Sequence, residues 1–177
     1  MRILVAITGA SGIIYGSRLV SALKESRQNV SVVVSAGAKK VAKAEGARLP
    51  AADYAENDLS SPFASGSSAA DALIICPCSL KTLGEIANGV GNSLITRAAE
   101  VCLKERRKLV LVVRETPYSL IAIKNMELVT LAGGIVLPAS PGFYHRPKTI
   151  SDLVDFVVGK ALDAAGIKNK LFKRWGK

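Results

Sequence analysis

Short runs of branched apolar residues recur along the chain, at 3–7 (ILVAI), 29–35 (NVSVVVS), 72–76 (ALIIC), 109–113 (LVLVV) and 135–137 (IVL). Runs that are apolar without strict alternation are what strands buried on both faces require. Between them the apolar spacing turns helical. Residues 13–25 carry Ile14, Leu19 and Leu23, a second helix with Val41 on its inner face runs to about Glu45, and further helical segments fall at 80–87, 94–105, 119–132 and 150–165. Gly133-Gly134 and Gly166 close the last two. Residues 46–70, rich in Ala, Ser, Gly and Asp, read as a loop with one short strand or turn near 62–68. Strands alternating with helices predict an α/β fold, an open parallel sheet with helices on both faces. Neither a repeat nor a linker divides the 177 residues, so one domain over 1–177 is expected. The basic tail from about 166 is expected to be exposed or packed on a neighbouring subunit.

Charge narrows the partners. Lys and Arg number 24 against 14 Asp and Glu, a net charge of +10, which suits nucleic acid, an anionic membrane surface or an anionic small molecule. Aromatics are only 5% and do not interleave with the basic residues, as base stacking would need. The densest cluster, 104–108, is broken by Glu105. A solvated basic face is therefore favoured, and nucleic acid is not expected. No apolar run approaches the ~20 residues of a membrane span, and the chain opens directly on a strand pattern, so a cytoplasmic protein is expected. The three cysteines lack paired spacing and His145 is the only histidine, so no metal is expected.

Ligands of such sheets sit beyond the carboxyl ends of the strands. The loops there read Thr8-Gly9-Ala10-Ser11-Gly12, Ser35-Ala36-Gly37, Pro77-Cys78-Ser79, Arg114-Glu115-Thr116-Pro117 and 138–147. The first resembles a dinucleotide turn, but Ser11 stands where the second glycine belongs, and Ser35 stands where the ribose-binding acid belongs. A mononucleotide such as FMN fits better, although a plain strand-to-helix turn is equally compatible. Ser79 opens a helix as its N-cap, or offers its hydroxyl to a ligand. Arg114-Glu115 follows a fully apolar strand and must find partners or face a pocket. Arg97 and Lys104, seven residues apart, share a helical face and can clamp an anion, or simply be solvated. His145 reads as either an acid–base group or a hydrogen bonder fixing its loop.

Four segments, ITGASGIIYGSRL at 7–19, ASGSSAADALIICPCSLKTL at 64–83, ITRAAEVCLKERRKLVLVVRETPYS at 95–119 and LPASPGFYHRP at 137–147, together resemble the UbiX-type flavin prenyltransferases. The resemblance implies a flavodoxin-like or Rossmann-like domain. It implies metal-independent transfer of a dimethylallyl group from dimethylallyl monophosphate to N5 and C6 of reduced FMN. The product, prenylated FMN, would serve UbiD-type decarboxylases, and the enzyme would be a dodecamer with sites at subunit interfaces. Matching motifs assign Gly9, Ala10, Ser11, Ser35, Ser79, Leu80, Lys81, Thr82 and Arg114 to FMN. They assign Arg97, Lys104, Tyr144 and Lys160 to the prenyl phosphate. Glu115 would act at the leaving phosphate, Glu45 at the C6 proton and Ser11 as a proton relay. Lys160 departs from the arginine of several members, keeping the charge but losing the bidentate fork. An FMN-dependent cysteine decarboxylase of the same fold group is the nearest alternative, but it would need an early histidine that this sequence lacks. A non-catalytic FMN carrier would leave Glu45 and Glu115 without a purpose.

Overall fold

A computed structural model describes residues 1–176. Five parallel strands, β1 (Arg2–Ile7), β2 (Asn29–Val34), β3 (Ala72–Cys78), β4 (Lys108–Val113) and β5 (Ile135–Pro138), form one sheet in the order β2-β1-β3-β4-β5. Six helices connect and cover them: α1 (Ile13–Glu25), α2 (Ala36–Glu45), α3 (Leu80–Ala87), α4 (Leu94–Lys104), α5 (Leu120–Leu131) and α6 (Ile150–Ala164). The chain winds outward from β1 to β2, then crosses to the other side of β1. This reversal opens a crevice between the carboxyl ends of β1 and β3.

Side-chain alternation explains why the strands read as continuous apolar runs. Ile3, Val5 and Ile7 of β1 enter a core shared with α1, α2 and α6, while Leu4 and Ala6 enter one shared with α3, α4 and α5. All five are fully buried.

Two sequence readings change. Strand β3 does not stop at Cys76 but runs to Cys78, with a register shift against β4 between Ile75 and Cys78. Pro77 lies inside that shift, and having no N–H it cannot donate to the ladder. Residues 46–70 are more ordered than a loop. The Asp53 and Tyr54 amides donate to the Val32 carbonyl at 2.8 and 3.3 Å, and the Val32 amide donates to the Asp53 carboxylate at 2.8 Å. These bonds cover the open edge of β2. Two 3-10 turns follow at Pro62–Ala64 and Gly66–Ser68, and they bury Phe63, with Tyr54 edge-on at 5.5 Å.

The tail folds back on its own chain. Ile167 and Phe172 bury against the α6 side of the core, and Arg174 pairs with Asp163 while lying 4.4 Å over the Phe172 ring. The basic residues Lys168, Lys170 and Lys173 between these anchors are exposed, as is Trp175 at 78%. Helix α5 presents another exposed surface, with Leu120, Ile121 and Leu131 at 66%, 73% and 78%. Among the described residues no helix is long and apolar enough to cross a membrane.

Candidate active site

The crevice is held open by small residues and tied by one threonine. Thr8 is buried; its hydroxyl donates to the Pro77 carbonyl at 2.9 Å and accepts the Ser79 amide at 2.8 Å. The loops after β1 and β3 are therefore locked together. A Cβ at Gly9 would stand 3.1 Å from the Gly37 backbone, so glycine lets the first two rim loops touch. Gly12 turns the chain into α1 at φ +98°, where a side chain would be strained.

Ser11, Glu45 and Arg114, which lie far apart in sequence, meet beside this turn. The Glu45 carboxylate accepts the Gly12 and Ile13 amides at 2.7 and 3.1 Å, the amino end of α1. Arg114 Nε donates to the Ser11 carbonyl at 3.1 Å. Burial opposes the charge of Glu45, but the Ser11 hydroxyl, the Gly12 and Ile13 amides and the Arg114 cation together hold its carboxyl below the usual range. Glu45 is thus held ionised, with the Ser11 hydroxyl beside it.

Glu115 takes the other direction, as successive residues leaving a strand do. It lines a cavity of about 340 Å³ together with Gly9, Ser35 and Ser79–Thr82. That volume is in the range of small-molecule sites. Ser35 and Ser79 are N-caps, accepting the Ala38 and Thr82 amides at 3.0 and 3.3 Å. The cap reading of Ser79 is realised, yet the same caps pin the amino ends of α2 and α3 around the cavity. The first amides of α3 suit a phosphate monoester, and Lys81, paired with Glu85 at 3.5 Å, lies beside them. With the close approach at Gly9, these residues fit the ribityl phosphate of FMN.

The expected prenyl-phosphate clamp is not assembled within one chain. Arg97 donates to the Ala64 carbonyl at 3.2 Å and to Glu100 at 2.8 Å. Lys104 pairs with Glu105. Both face the 3-10 turns, while the neighbouring Ile95 and Thr96 line the 340 Å³ cavity. Tyr144 lies on a separate cavity of about 590 Å³ with Arg146, Arg174 and Trp175. Lys160 is exposed on α6 and lines neither cavity.

Two residues carry signals that sequence reading passed over. Thr8 was visible only as part of a small-residue turn. Trp175 packs edge-on against Tyr144 at 5.1 Å, which places the tail's only tryptophan on the Tyr144 cavity. His145 is not the expected hydrogen bonder. Its ring stacks on Phe156 at 5.1 Å and 10°, and among the described residues neither ring nitrogen has a partner. Burial pushes the Cys76 and Cys78 thiols well up, and that of Cys102 up to about 11, so all three behave as small apolar residues.

Comparison with known proteins points the same way. The family described as Flavoprotein matches residues 1–162. The flavin prenyltransferase UbiX of Methanocaldococcus jannaschii is 48% identical, over 99% of this chain and 99% of that protein. The crystal structure of AnUbiX (PadA1) in complex with FMN and dimethylallyl pyrophosphate superposes with a TM-score of 0.94 at 43% identity, over 99% of this chain and 97% of the other. A dodecameric FMN-dependent UbiX-like decarboxylase from Escherichia coli O157:H7 superposes at 0.91 with 37% identity, over the whole of both chains. A rim of hydroxyls and amides at the β1–β3 crevice, on a chain alike from end to end, leads to one assignment: this chain belongs to the flavoprotein family and, within it, to the UbiX flavin prenyltransferases.

Proposed function

We propose that the protein transfers a dimethylallyl group from dimethylallyl monophosphate to N5 and C6 of reduced FMN and releases prenylated FMN for a UbiD-type decarboxylase. The observation that carries this reading is the 48% identity to a flavin prenyltransferase over 99% of both chains. Bound reduced FMN supplies the nucleophilic nitrogen and carbon that accept the prenyl group. Gly9, Ala10, Ser35, the Ser79–Thr82 turn and Arg114 hold and orient it. Ionised Glu45, with the Ser11 hydroxyl beside it, accepts the proton released from C6, which balances the proton that the prenyl double bond takes up as the ring closes. Arg97, Lys104 and Lys160 stabilise the departing phosphate as its C–O bond breaks, Tyr144 orients it, and Glu115 supplies its proton, which the proton lost from N5 on alkylation balances. Apolar walls, including the Tyr144–Trp175 pair, keep water from the allylic carbon.

The separation of these groups within one chain supports a site shared between copies. Helix α5 supports the same reading, since an apolar surface of that extent marks a contact. We assign a homo-oligomer, a dodecamer as in the Escherichia coli relative. We place the single domain, residues 1–177, in the cytoplasm, a placement that the buried free thiols support.

The cysteine decarboxylase alternative is not favoured. Its early histidine has no counterpart, and His145 is stacked in an aromatic cluster beyond β5. The test is anaerobic incubation with reduced FMN and either dimethylallyl monophosphate or the diphosphate, followed by mass analysis of the released flavin. A gain of one C5 unit is expected with the monophosphate. Unmodified flavin with both donors would overturn the assignment.

A further inference from the structure

Glu56 belongs to the segment that carries no motif, yet it stands where two cavities meet. Its carboxylate accepts the Ala36 amide, the first of α2, at 2.7 Å. Its carbonyl accepts the Leu94 amide, the first of α4, at 2.7 Å. With Lys81 and Ser93 it lines both the 340 Å³ cavity and an outer one of about 720 Å³, walled by Val34, Lys39 and Tyr54. Two cations, Lys81 and Lys39, stand near it, but among the described residues neither forms an ion pair with Glu56, and Lys81 pairs with Glu85 at 3.5 Å. A fixed carboxylate thus occupies the amino end of α2, a position that would otherwise attract a phosphate. The outer cavity is large enough for a further group, and Glu56 is one of the residues it shares with the flavin-side cavity, so a group reaching from one into the other meets that anion.

We propose that Glu56 sets the number of phosphates the flavin can carry: it admits FMN and rejects FAD, whose diphosphate would have to pass the carboxylate to bring its adenosine into the outer cavity. This rests on the FMN reading above. The device is repulsive rather than attractive, which is how discrimination between ligands sharing one recognition half is commonly achieved. Two like charges at contact range oppose each other, and in a cleft open to solvent added salt weakens that repulsion.

The test measures Kd for FMN and FAD by flavin fluorescence for the wild type and Glu56→Gln. Glutamine keeps the length and can still accept the Ala36 amide. Wild type is expected to prefer FMN by about 100-fold or more, and Glu56→Gln to narrow that preference about tenfold or more through tighter FAD binding, with FMN changed less than about threefold. An unchanged FMN-to-FAD ratio would overturn the proposal. So would an equal gain for both flavins, which would make Glu56 a general repellent. Failure of wild type to bind FMN at all would overturn the functional assignment and this inference with it. Salt provides a check that needs no variant. Rising ionic strength should improve FAD binding relative to FMN in wild type, whereas a flat or opposite ratio contradicts the role.

Discussion

The two sides of the proposed site differ in how completely one chain builds them. On the flavin side, Arg114 reaches the Ser11 carbonyl, Glu45 holds the Gly12 amide, and Thr8 ties the same loop to the one after β3, so hydrogen bonds fix these groups within one chain. On the phosphate side, Arg97 and Lys104 are paired with neighbouring acids, Tyr144 lies on another cavity, and Lys160 is solvated. Binding a rigid aromatic cofactor benefits from groups that are already in place. Holding a small phosphate ester in a dry site needs cations from several directions, and one small sheet cannot bring them together. The difference supports the proposal that the chain prepares its flavin side alone and completes its prenyl donor side by assembly.

The largest effect that would sharpen this contrast comes from Glu115. Glu115→Gln should retain FMN, as judged by fluorescence quenching, and lose prenylation by about 100-fold or more, the scale of a missing acid–base group. Near-normal turnover would remove Glu115 from the chemistry. Next, charges on the apolar face of α5 should separate assembly from flavin binding. With Ile121→Glu and Leu131→Glu together, light scattering should show smaller species without turnover that still bind FMN. A full-sized assembly would mean that α5 is not a contact.

A smaller effect concerns Glu45. Its folded-state pKa lies below the ordinary value, so its ionisation stabilises the fold above the ordinary carboxylate pKa. That contribution is lost as the pH falls through the lowered value. Glu45→Gln should therefore lower Tm by a few degrees at most near neutral pH, and the two proteins should converge in acid. A gap that persists at low pH would assign the loss to packing instead. The smallest effect is expected of Lys160→Arg, which should leave turnover equal or slightly raised, with no rise in KM for the prenyl phosphate. A clear loss would show that the lysine is specifically fitted.

Most of the fold was legible because buried parallel strands write themselves as apolar runs and the helices between them carry caps. Ser35, Ser79 and Ser119 all cap where strand meets helix. The rim was legible too, since the carboxyl-end rule selects loops without needing contacts. What stayed hidden depends on distance in space. The contact between Glu45 and the start of α1 spans 33 residues. The role of Glu56 is set by backbone amides that no side-chain pattern announces, in a segment that composition alone marks as a loop. Of the two readings of His145, the hydrogen-bonding one fails because stacking, unlike charge, leaves no spacing signature.

The claim that the site is divided between copies is tested most directly by complementation. Glu115→Gln and Lys160→Ala, each inactive alone, would be co-expressed with different tags and the mixed assembly purified. The account predicts that it forms prenylated FMN, because some sites then combine an intact Glu115 from one chain with an intact Lys160 from another. Mixed assemblies as inactive as either variant would contradict it, since both residues would then have to come from the same chain.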